Sequence, residues 1–140
     1  MELDLTSFHK AIQSLETALR VYDSYSSKQS QDPELVQTLK AGVVQNFEFT
    51  YELAWKFIKR WLELNVGDNT TKQVFTRRET YRYAAEAGLI DDVKKWFDYT
   101  EIRNITFHTY VEEKANRVLA GAIQFKEDAI NLYNTLEEYN

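Results

Sequence analysis

The chain has 140 residues, of which 44% are hydrophobic and 28% charged, a balance that suits a single globular domain over residues 1–140 and excludes a disordered tail. It has no cysteine and only two histidines, which excludes a disulfide framework and a Cys/His zinc site built from one chain, so catalysis is expected to need no metal or cofactor. A net charge of -5 argues against gripping nucleic acid by bulk electrostatics, while leaving room for a small local site.

Four glycines and one proline are too few for the turns of a sheet protein but enough to punctuate four or five helices, so the predicted class is all-α. The opening MELDLTSFHK is acidic and amphipathic and lacks the basic-then-apolar order of a signal peptide. No apolar run approaches the roughly 20 residues of a membrane span, so a cytoplasmic location away from membranes is expected.

In chain order, Leu5, Phe8, Ile12, Leu15, Leu19 and Tyr22 recur at three- and four-residue spacing and predict a first helix, with Asp4 as its cap. The polar stretch Ser24 to Gln31 breaks the pattern. Asp32-Pro33-Glu34 then starts a second helix with a cap, a proline in the first turn and an early acid. Its apolar stripe is Val44, Phe47, Tyr51, Ala54, Ile58 and Trp61, widened by Phe49, Leu53 and Phe57. Such a face must be covered on more than one side, and the aromatic series Phe47, Tyr51, Trp55 and Trp61 reads as core and dimer packing. Glu48, Glu52 and Lys56 fall on the opposite, wet stripe, where Glu52 and Lys56 form an (i, i+4) pair. Unbroken to about Asn65 this helix would be roughly 50 Å long, so a kink or break near Gly42 is allowed for, and Gly67-Asp68-Asn69 should end it.

Thr76-Arg77-Arg78-Glu79 matches a reciprocal capping box, and Gly88-Leu89 a left-handed stop, so a third helix is predicted from about Arg77 to Ala87. Arg77, Arg78 and Arg82 form a basic patch there, read first as a solvated turn and second as a contact for RNA backbone. Asp91 is the expected cap of a fourth helix carrying Val93, Trp96, Phe97 and Thr100. Ala115, Val118, Ala122, Phe125, Ala129, Leu132 and Leu136 mark a fifth, whose three alanines imply close helix approach.

Between the fourth and fifth helices lies Arg103-Asn-Ile-Thr-Phe-His108-Thr-Tyr110, the densest polar constellation in the chain. Thr109 to Glu112 matches another capping box, which predicts that helix five starts at Tyr110 with His108 just before it. A helix N-terminus stabilises an anion, an arginine can clamp a phosphate bidentately, and imidazole moves protons near neutral pH. On one continuous helix Arg103 and His108 would point roughly 140° apart, so their cooperation needs a break between them or a second copy of the chain. Asn104 and His108 would share a face, and Arg103 and Tyr110 would realign after two turns. The structural readings are Arg103 pairing with Asp98 or Glu101, Asn104 stopping a helix, and Tyr110 packing at a helix start. His9 carries no assigned role.

The segment resembles the R-x4-6-H-x-Y pattern of the HEPN superfamily. Phe47-Glu-Phe-Thr-Tyr-Glu-Leu-Ala-Trp-Lys56, Arg78-Glu-Thr-Tyr-Arg-Tyr-Ala84, Gly88-Leu-Ile-Asp91 and Arg103-Asn104 narrow the resemblance to its nucleotidyltransferase substrate-binding branch, which includes HepT-type toxins, over roughly residues 5 to 137. The resemblance implies an up-and-down four- to five-helix bundle that forms a homodimer, with Arg103 and His108 of both protomers lining one cleft. It further implies metal-independent RNA cleavage by Arg103 and His108 as catalytic residues, and a separate minimal nucleotidyltransferase that adenylylates Tyr110 from ATP, with Asn104 as a nucleotide contact. The alternatives are a non-catalytic substrate-binding subunit of a two-component nucleotidyltransferase, and a dimeric interaction module. No Gly-Ser dipeptide or Asp-x-Asp occurs, so the chain is not expected to be the transferase itself.

Overall fold

The computed structural model describes residues 3–28, 32–65 and 76–140, which form α1 (Thr6–Ser26), α2 (Pro33–Asn65), α3 (Arg77–Glu86), α4 (Val93–Asn104), a single 3-10 turn (Thr106–His108) and α5 (Glu112–Tyr139). No strand occurs among the described residues, in keeping with the all-α reading. Contacts fix the topology. Phe8 stacks on Phe57 and Ser14 donates to Asn46, so α1 and α2 are antiparallel. Phe47 meets Phe125 and Trp61 meets Tyr139, so α2 and α5 are parallel. Tyr99 meets Phe125 while Glu101 pairs with Arg117, which makes α4 antiparallel to α5. The four long helices therefore alternate up and down, with the short α3 inserted before α4.

The predicted stripes are the ones that bury. Phe8, Ile12 and Leu15 of α1, Phe47, Tyr51, Ala54 and Ile58 of α2, and Val118, Ala122, Phe125, Ala129, Leu132 and Leu136 of α5 fill one core with Tyr81, Trp96 and Tyr99. Full burial of each large side chain is worth about 1.5–3 kcal/mol, so these stripes dominate the fold's stability. Phe49 departs from expectation, being 59% exposed on the flank of α2.

Helix ends follow local chemistry. The N-cap of α1 is Leu5, with no side-chain cap bond, so the expected cap Asp4 lies one residue too early; it still accepts the Thr6 N–H, and its carboxyl is held below the ordinary range by the hydrogen bonds of Thr6. Asp32 accepts the Glu34 N–H, with Pro33 in the first helical position, as predicted. The Thr76/Glu79 capping box is complete. Gly88 has φ +81°, and Leu89 N–H reaches Ala84 O while Gly88 N–H reaches Ala85 O, the paired bonds of a Schellman stop.

Four further expectations are corrected. Helix α1 runs on through Ser26, past the start of the polar stretch, and α2 continues through Gly42 without a break. The cap of α4 is Asp92, which accepts the Lys94 N–H; Asp91 lies one residue too early. Helix α5 begins at Glu112 with Val111 as its cap and no side-chain cap bond, because the Thr109 hydroxyl instead donates to Thr106 O. The predicted stop at Gly67-Asp68-Asn69 lies outside the described residues.

Candidate functional site

Helix α4 carries Arg103 and Asn104 in its last turn and ends there, with Ile105 as its C-cap. The 3-10 turn follows at once and brings round His108, and Tyr110 sits two residues further on, before α5. Of the two conditions under which Arg103 and His108 could cooperate, the break between them is thus present. It also cancels the facing of Asn104 with His108 and of Arg103 with Tyr110, since both required a helix that continues.

The turn is anchored from α2. Thr106 is buried, and its hydroxyl lies 2.7 Å from Glu48 Oε2 and 2.8 Å from Arg103 O. Arg103 Nε donates to Glu52 Oε1 at 3.1 Å, and the guanidinium lies 5.2 Å from the Phe107 ring centroid. Glu52, and neither Asp98 nor Glu101, is therefore the partner of Arg103; Glu101 pairs with Arg117. No bond joins the Nη groups of Arg103 to any described residue, which leaves that edge of the fork open to an anion. The predicted pair of Glu52 with Lys56 is replaced, because Glu52 also takes Arg77 Nη2 at 3.5 Å.

Arg77 is accordingly no solvated first-turn residue. Its guanidinium lies 4.6 Å from the Trp55 ring and donates to Tyr51 Oη at 3.1 Å. Tyr51 Oη is in turn 2.6 Å from both Tyr81 Oη and Thr100 Oγ1. Burial first, and then the proximity of Tyr51, push the Tyr81 hydroxyl well above the usual tyrosine range, so it stays protonated. A polar chain from Arg103 through Glu52, Arg77 and Tyr51 to Tyr81 thus ties α4, α2 and α3 together.

His108 and Tyr110 face solvent. Their side chains approach, with His108 Nδ1 3.4 Å from Tyr110 Oη, and Tyr110 is 82% exposed. No hydrogen bond or ring contact joins His108 to Arg103 within the protomer, yet neither lies in a sealed, dry environment. Sequence reasoning missed the roles of Glu48, Glu52 and Thr106, and it put Arg77 in a basic patch without its partners. The usable signal was the breadth of the apolar face on α2: a helix covered on several sides has little wet surface, so carboxylates on it need partners.

Residues 3–138 match the family model described as nucleotidyltransferase substrate binding protein like. The chain belongs to this family. Over 109 residues, 77% of this chain and 75% of the relative, it is 39% identical to a Haemophilus influenzae protein named probable ribonuclease HepT. A Haemophilus influenzae structure described as revealing the fold of a substrate binding domain of a nucleotidyltransferase superposes with a TM-score of 0.89 at 34% identity, covering 96% of this chain and 99% of that one. A Thermus thermophilus structure, 21% identical, shares the fold at a TM-score of 0.62 over 87% of this chain and 98% of its own. Membership of the substrate binding family agrees with the resemblance read from the R-x4-H-x-Y segment and its flanking strings. No helix among the described residues is long and apolar enough to cross a membrane.

Proposed function

We propose that this chain is a metal-independent endoribonuclease of the HepT type, the toxin of a pair whose second member is a minimal nucleotidyltransferase. The reaction is an internal transfer: the ribose 2′-oxygen loses its proton, attacks the adjacent phosphorus, and the bond to the 5′-oxygen breaks as that oxygen takes a proton. The products are a 2′,3′-cyclic phosphate and a 5′-hydroxyl. His108 serves as general base or acid, and the open edge of Arg103 stabilises the charge that grows on the phosphoryl oxygens. A homodimer supplies one His108 for each proton transfer and sets the two Arg103 groups about one phosphate. The exposed Phe49 and Phe107 are apolar side chains that such a dimer would cover, with Tyr110 left accessible to the transferase.

The observation that carries the reading is the approach of Tyr110 Oη to His108 Nδ1 on an exposed turn. Adenylylation of that oxygen, with pyrophosphate leaving from ATP, would set an anion and a nucleoside directly against the imidazole, excluding an RNA phosphate by charge and volume. In chelator, the protein is expected to leave cyclic phosphate ends on RNA. After incubation with the cognate transferase and ATP, mass spectrometry should find the adenylyl group on Tyr110 and cleavage should cease; modification elsewhere with cleavage intact would refute this account.

A second reading has support in the Haemophilus influenzae structure described as a substrate binding domain. Under it the chain presents substrate to the transferase and cleaves nothing. Nucleotide binding that needs both proteins, with RNA left whole, favours that reading.

A further inference from the structure

Asn104, exposed in the last turn of α4, lines a cavity of about 200 Å³ between α3 and α4. It is lined by the buried Tyr81, by the half-buried Arg77, Phe97 and Thr100, and by the exposed Arg78, Glu101 and Asn104. The space is too small for a whole nucleotide, since pockets for ligands of that size run to roughly 300–1,000 Å³. It accommodates one planar ring system.

The chemistry of the walls is equally restrictive. Arg78 places its guanidinium 4.7 Å from the Phe97 ring centroid, so a flat cation already lies on a flat aromatic surface. The Arg78 stem is exposed, and swinging aside would let a base stack on Phe97 with the guanidinium on its other face. The amide of Asn104 makes no hydrogen bond to any described residue, although it offers a paired donor and acceptor to the edge of a base. Arg77, in the wall, shares the Glu52 carboxylate with Arg103, so the cavity adjoins the phosphate clamp.

We propose that this cavity receives one unstacked base of single-stranded RNA, next to the phosphate held at Arg103, with Phe97 and Arg78 stacking it and Asn104 reading its edge. The inference rests on the ribonuclease reading for its ligand, and its test separates the two. The probe is a short RNA carrying 2′-O-methyl groups, which cannot be cleaved, in versions with each nucleotide in turn made abasic; affinity is measured by fluorescence anisotropy. Removal of one particular base beside the cleavage point should weaken binding by about tenfold, the scale of one lost base-aromatic stack. Phe97→Leu and Asn104→Ala should each weaken binding of the intact probe by several fold and add nothing further on that abasic probe. Equal affinity for every abasic version, or losses in the variants that are the same on intact and abasic RNA, overturns the base site. Cleavage of ordinary RNA, assayed in parallel, reports separately on the ribonuclease reading.

Discussion

Glu52 holds two guanidiniums at once, and a carboxylate is the only side-chain group with acceptors enough and charge enough to do so. With Arg103 Nε engaged, the arginine is fixed in direction while its outer edge stays available, the arrangement that the proposed phosphate clamp needs. Glu52→Gln keeps the shape but removes the charge and turns one acceptor into a donor facing Arg103 or Arg77. It should lower unfolding free energy by about 1–3 kcal/mol in urea titrations and slow RNA cleavage by at least about tenfold. An unchanged urea midpoint with an unchanged rate would show that Arg103 is placed by something else. The sequence alone did single out Arg103, His108, Asn104 and Tyr110, because their residue types and spacing are a local pattern. It left Glu52 beside Lys56, because the partner that wins lies 51 residues away and only the crossing of α2 with α4 brings it near.

At the scale of elements, helices α4 and α5 approach closely at Gly121. A Cβ there would meet Ile102 Cδ1, the far end of a side chain that must turn aside, and this strain is set against the roughly 1 kcal/mol that alanine gains over glycine within a helix, so Gly121→Ala should change stability by no more than about 1 kcal/mol. Combining it with Ile102→Val, which removes the obstructing methyl, should cost less than the sum of the two single changes; strict additivity in denaturant melts would argue against that contact. Gly88→Ala meets a different obstacle, a left-handed backbone with Tyr139 Oη 3.0 Å from the new carbon, and should lose about 1–2 kcal/mol. The alanines that predicted close approach, Ala115, Ala122 and Ala129, are all buried, and the stops and caps at Asp32, Thr76 and Gly88 were legible because each depends on neighbours within a few residues. The start of α5 was not. The Thr109/Glu112 pattern satisfied the local rule, but Thr106 is tied to Glu48 on α2, and that anchor holds the preceding residues in a 3-10 turn.

For the whole molecule, buried tyrosines set an alkaline limit. Burial, followed by the hydrogen bond to Asp128, raises the Tyr99 hydroxyl far above the usual tyrosine range, and Tyr81 is raised as well. A raised folded-state value means that the protonated form is favoured in the native protein, so this stability is fully present below the unfolded value of about 10 and is lost as pH rises beyond it. The urea midpoint should therefore fall steeply above about pH 10, and less steeply in Tyr99→Phe; a midpoint flat through that range would contradict the assignment. Assembly belongs to the same scale, since the catalytic reading needs two chains where the protomer leaves Arg103 and His108 without contact. The central claim is tested most directly by single-turnover cleavage of RNA in chelator by His108→Ala, with helical content checked by circular dichroism. The account predicts a fall of at least about 100-fold with the helices intact; a variant that cleaves at the wild-type rate would contradict it.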